Sequence, residues 1–152
     1  MVKNNGILIN VVNSLVKEGR NLKIEARGYS MFPTIKPGYT VIIKSYNNIE
    51  EAATGDIIAW LRDNEITLHR LIHIYESNNI KYFITRGDGA LSSDLPVSYN
   101  DIIGKAIYLE NKNQRWEPDS IIFIPEWKYR INKKRATNIA KLRKLIRKVL
   151  RK

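Results

Sequence analysis

The sequence predicts a mainly β protein, an antiparallel core flanked by an N-terminal helix and a basic amphipathic C-terminal helix. Three observations predict it. From Leu22 to Leu109 the apolar residues alternate or run in short β-branched blocks, separated by turn signals. Residues 5–19 instead place Ile7, Leu8, Val11, Val12, Leu15 and Val16 at helical spacing. Residues 133–152 carry a second helical stripe among ten Lys/Arg and no acid. The chain therefore divides into an N-terminal amphipathic helix over residues 1–21, a β core over 22–132 and a basic amphipathic helical tail over 133–152.

The elements follow in order. Gly19 stops the first helix. Leu22, Ile24 and Ala26 alternate with polar neighbours and read as a strand leading into Gly28-Tyr29-Ser30-Met31-Phe32-Pro33-Thr34. Lys36-Pro37-Gly38 turns the chain into a β-branched strand over residues 40–44. Thr54-Gly55-Asp56 is a second turn, before a buried apolar strand over 57–61, and Asp63-Asn64 is a hairpin turn. Residues 66–75 form a long strand whose alternation assigns Thr67, His69, Leu71 and His73 to one face. Ser77-Asn78-Asn79 reverses the chain into a strand over 80–85. A loop with two glycines and two acids runs from Arg86 to Asp94, Pro96 closes it, and residues 102–109 form a further strand. Trp116, Pro118, Pro125 and Trp127 suggest irregular structure packed on the body over residues 111–132. The last stripe is Ile139, Leu142, Leu145, Ile146, Val149 and Leu150.

Composition bounds the function. The chain has 152 residues, enough for one domain with a real core. It has no cysteine, which excludes disulfides, thiolate metal sites and a cysteine nucleophile. Its net charge is +11, but residues 133–152 supply ten positive charges, so the other 132 residues hold 16 basic and 15 acidic side chains, a net of +1. Electrostatic arguments about partners thus belong to the tail. The apolar runs are far shorter than the roughly 20 residues that span a bilayer. With no secretory signal pattern either, the expected location is cytoplasmic, with peripheral membrane contact through the tail.

Chemistry could centre on Ser30. Gly28 and Pro33 constrain the backbone around it, and a serine nucleophile needs a nearby base. The two histidines, His69 and His73, are the candidates. Four residues apart on a strand, they stand about 13 Å from one another, too far to share one serine or one metal ion. Asp88 and Asp94 could orient the base, or serve only as turn residues. Spacing leaves these alternatives open.

Four blocks resemble the signal peptidase family of serine proteases, related to the self-cleaving SOS repressors. They are Gly28-Tyr29-Ser30-Met31-Phe32-Pro33-Thr34-Ile35, Thr54-Gly55-Asp56-Ile57-Ile58, Leu68-His69-Arg70-Leu71-Ile72, and Thr85-Arg86-Gly87-Asp88-Gly89 through Asp94 to Ile103-Gly104-Lys105-Ala106. The match covers roughly residues 26–107. With histidine at position 69, where the bacterial housekeeping branch carries lysine, the chain is most similar to the endoplasmic-reticulum and archaeal branch. The resemblance implies a signal-peptidase-like β core with Ser30 as nucleophile, His69 as base and Asp94 as catalytic acid. It implies a supporting role for Asp88 and no metal or cofactor. The backbone N–H of Ser30 or Met31 would bind the oxyanion, with the Thr34 side chain a lesser candidate. It also implies substrates with small residues before the cut. The chain departs from the family at Tyr39, at Phe32 and at Gly89-Ala90, and no apolar run matches the family's membrane anchor.

Three functions follow as expectations. The first is a serine endopeptidase cleaving a precursor or leader peptide. The second keeps the fold for one dedicated precursor, or as an inactive peptide-binding relative. The third acts through the tail, where the aliphatic stripe favours an anionic membrane surface over nucleic acid, unless the stripe packs on the body or on a partner helix.

Overall fold

Among the described residues the chain forms eight strands, six of them where the alternating or β-branched stretches lie. They are β1 (Leu22–Glu25), β2 (Thr40–Lys44), β3 (Ile57–Arg62), β4 (Glu65–Ser77), β5 (Ile80–Arg86), β6 (Val97–Ser98), β7 (Ile102–Asn111) and β8 (Gln114–Trp116). A long helix, α1 (Glu126–Val149), follows the strands. The computed structural model describes residues 12, 14, 18–62, 65–112, 114–119 and 124–150. Most of the helix expected over residues 1–21, and the Asp63-Asn64 turn, lie outside these.

The strands make one antiparallel sheet in the order β1-β2-β7-β3-β4-β5-β6, with β8 pairing β7. The predominantly antiparallel β core expected from the sequence is thus observed. The β4–β5 hairpin turns at Asn78 and Asn79, both at positive φ (51° and 59°). Asparagine tolerates that conformation, and two such residues match the right-handed twist of the flanking strands. The insertion of β7 between β2 and β3 is a long-range pairing that no local pattern announces. It needs Gly104, where a Cβ would fall 2.2 Å from the Lys44 carbonyl oxygen.

Apolar side chains gather in two clusters. One holds Val12, Met31, Ile35, Val41, Ile57 and Leu109, and so ties the Ser30 segment to the sheet. The other holds Ile58, Trp60, Leu71, Phe83 and Val97. A register shift between Leu71 and His73 interrupts β4. Leu71 and Ile74 consequently pack on the same cluster, as a bulge reverses the alternation beyond it. His69 and His73 therefore do not keep the shared face expected of them. His69 is buried, whereas His73 is exposed and stacks on Tyr75.

The helix also differs from expectation. It begins at Glu126, seven residues before position 133, with Pro125 at its N-cap. Proline fixes φ at a value suited to a helix start. Tyr129, Asn132 and Ala136 form its buried face. Beyond them Leu142, Leu145, Ile146, Val149 and Leu150 are exposed. Among the described residues no helix is long and apolar enough to cross a membrane.

Candidate active site

Ser30 sits exposed at the start of a turn, just before two buried anchors. Met31 and Ile35 on its C-terminal side are buried in the core. The turn is closed by Phe32 N–H donating to the Tyr29 carbonyl (3.1 Å) and Ile35 N–H to that of Met31 (2.9 Å). Hydrophobic anchoring of Met31 thus holds up a serine that faces solvent. Among the described residues, the N–H groups of Ser30 and Met31 and the Ser30 hydroxyl make no hydrogen bond within the chain.

The loop after β5 approaches this turn at its glycines. Gly89 N–H donates to the Ser30 carbonyl at 2.7 Å. A Cβ at Gly87 would fall 2.5 Å from that same oxygen and 3.1 Å from His69 Nε2. Gly87 therefore fills the narrow space between the serine backbone and the imidazole. Any side chain there would drive the two apart.

His69 comes from β4, where it pairs with Ile58 of β3. Its Nδ1 lies 2.5 Å from Asp94 Oδ2. Thr85 Oγ1 donates to the same carboxylate oxygen at 2.6 Å, and Arg62 stands 3.6 Å from the other. Asp94 N–H donates to the Thr85 carbonyl at 2.8 Å, which fixes the backbone as well. Burial pushes the Asp94 pKa upward, but the hydrogen bonds from His69 and Thr85, with the His69 and Arg62 charges, outweigh it. The group stays below the ordinary carboxylate range. An ionised Asp94 holds the imidazole with its proton on Nδ1 and leaves Nε2 free to accept one.

The chain belongs to the Peptidase S24-like family. The family's model matches residues 6–85, a span that includes Ser30 and His69. Over 86 residues the chain is also 30% identical to signal peptidase I W of Bacillus subtilis (strain 168). That stretch is 55% of this chain and 45% of the Bacillus protein, so the chain spans under half of its relative's length.

In this S24-like chain Asp88 stands apart from the histidine. It is fully buried and takes two hydrogen bonds from Arg70, Nε to Oδ1 (2.9 Å) and Nη2 to Oδ2 (2.8 Å). Thr34 Oγ1 donates to Oδ2 at 2.5 Å, which commits the Thr34 hydroxyl to Asp88. Arg70 Nη1 reaches the carbonyls of Gly55 (2.8 Å) and Asp119 (2.9 Å). A buried charge pair persists only when its remaining donors and acceptors are satisfied, and here three further segments, at Thr34, Gly55 and Asp119, satisfy them. Asp88 thus locks the serine turn to the glycine loop.

Of the residues singled out in the sequence, the structure brings Ser30, His69, Asp94 and Met31 into one neighbourhood, with Asp88 behind them. The sequence reasoning missed Thr85, Arg62, Arg70 and the separate jobs of Gly87 and Gly89. A signal for Arg70 was present, since a strand that buries both faces seldom carries an arginine without a buried acid to meet it.

Proposed function

We propose that this protein is a serine endopeptidase that cleaves a precursor or leader peptide. Ser30 acts as nucleophile, His69 as base and Asp94 as the orienting acid. The observation that carries the reading is the short contact of His69 Nδ1 with an ionised Asp94, while Gly87 leaves Nε2 beside the Ser30 backbone. In this reading Ser30 Oγ attacks the scissile carbonyl and gives its proton to Nε2. Asp94 stabilises the imidazolium that results. The free N–H groups of Ser30 and Met31 donate to the oxyanion. His69 then protonates the leaving amine, and water hydrolyses the ester by the reverse relay. Histidine at position 69, seated on Asp94, favours the endoplasmic-reticulum and archaeal type of signal peptidase over a lysine mechanism. An open cleft of about 750 Å³ runs beside the site between residues 24–28 and 65–69. Two extended walls suit an extended peptide.

Purified wild type, Ser30→Ala and His69→Ala proteins, given peptides with small residues before the cut, test the mechanism. Each substitution should abolish cleavage, since such groups work as a unit. Full cleavage by either variant removes the triad. A fluorophosphonate label on Ser30 separates an active site from an inactive peptide-binding relative.

A second reading concerns the tail. Its exposed Leu142, Leu145, Ile146, Val149 and Leu150 lie among basic side chains with no acid. That combination suits an anionic membrane surface, where each basic residue contributes about 1 kcal/mol. Full-length protein should float with anionic liposomes and a chain ending at Asn132 should not. Equal flotation of the two would remove this reading.

A further inference from the structure

Ser30 borders two clefts. One is the extended-walled cleft beside His69. The other is a groove of about 460 Å³ between the Ser30 turn, the Gly89-Ala90 segment and α1. A chain laid across Ser30 with one flank in the first cleft sends its other flank towards this groove. We propose that the groove receives an acidic segment of the substrate, flanking the scissile bond.

The helix wall carries the argument. Ala136 and Ala140 line the groove with small side chains, which leaves room for a backbone. Lys133, Lys141 and Lys144 line it as well, and none has an ion-pair partner among the described residues. The one acid of α1, Glu126, is already paired with Arg86. Positions 133, 137, 141 and 144 repeat at helical spacing, so they share one face. The lysines span about 16 Å of helix, the length of about five residues of extended chain. Three unpaired ammonium groups on a short wall beside a cleft produce a positive potential that favours carboxylates.

These lysines are not the ones best placed for a lipid surface. At about 100° per residue the mean direction of the three lysines lies roughly 140° around the helix from that of Leu142, Leu145, Ile146 and Val149, with Lys141 and Leu145 meeting at the border of the two faces. The helix thus presents a cationic face to the serine and an apolar one away from it.

The inference rests on the peptidase reading for its meaning, but its test does not need turnover. Full-length Ser30→Ala protein, without lipid, is titrated with fluorescent peptides that carry three Glu, three Gln or three Lys on one side of a central small residue. The Glu peptide should bind about tenfold tighter than the Gln peptide, and the difference should fade between 50 and 500 mM salt. Combined Lys133→Glu, Lys141→Glu and Lys144→Glu should abolish the preference. The same charge change at Lys128, Lys134 and Arg135, which do not line the groove, should keep most of it. Equal binding of Glu and Gln peptides, or equal loss in both triple variants, overturns the proposal. Labelling of wild-type Ser30 by fluorophosphonate, run in parallel, separates the two readings. A labelled serine without acidic preference sinks the groove alone. Acidic preference without labelling sinks the catalytic reading alone.

Discussion

Replacing Gly87 by alanine tests whether the backbone approach at this position sets the catalytic geometry. The added Cβ would lie 2.5 Å from the Ser30 carbonyl oxygen and 3.1 Å from His69 Nε2. Ordinary contact requires about 1 Å more at the oxygen. Neither neighbour is the loose end of a flexible side chain. The Ser30 carbonyl is held by Gly89 N–H at 2.7 Å, and the imidazole by Asp94 at 2.5 Å. Relief therefore has to come from moving the serine turn by about 1 Å, a displacement that costs about 10²-fold in rate when reacting groups must be aligned. Stability should fall by about 1–3 kcal/mol from overpacking. Gly28→Ala is the matched control, because its Cβ would find its nearest neighbour, Ser30 N, at 4.0 Å. Single-turnover cleavage and the rate of fluorophosphonate labelling report the effect, with thermal melts to confirm folding. A folded Gly87→Ala protein with the wild-type rate would refute the reasoning.

Two further outcomes follow from the site. Asp94 has a lowered pKa when folded, so the stability it contributes is present in full above about pH 5 and is lost as pH falls through the folded value. Asp94→Asn should lower turnover by about 10³–10⁴. Its stability deficit against wild type should shrink from pH 7 to pH 3 in thermal melts, and a widening deficit contradicts the assignment. Arg70→Leu leaves the Asp88 carboxylate buried without its counter-charge and should cost about 3–5 kcal/mol in denaturant unfolding. Adding Asp88→Leu should recover part of that loss, and no recovery would show that the pair does not act as a unit.

Much of the fold could be read locally. The strands at 22–25, 40–44, 57–62, 65–77, 80–86 and 102–111 follow alternation and turn residues, both of which are short-range signals. The two-residue β6 and three-residue β8 were missed because so short a segment has no measurable period. The helix start was hidden by Trp127 and Pro125, whose turn-like composition outweighed the helical spacing of Tyr129, Asn132 and Ala136. The His73 error has a single cause, one extra residue in β4 that no composition marks. At the site, the types and order of Ser30, His69 and Asp94 were visible. What holds them was not, because Gly87 matters through the atoms it fails to touch and Thr85 and Arg70 act across the sheet.

The seating of α1 has a mechanical consequence. Asn132 Nδ2 donates to the Asp88 carbonyl at 3.0 Å, and Arg86 bonds Glu126 while its guanidinium lies 3.5 Å from the Tyr129 ring centre. The first turns of the helix are therefore bolted to the strand and loop that bear the acids, and its last buried residue is Ala136. From there to Val149 the helix runs on for about 20 Å, a rigid spar rather than a tether. While the helix stays folded, its far end stands off from the packed turns by a distance that helix rise sets and chain slack does not.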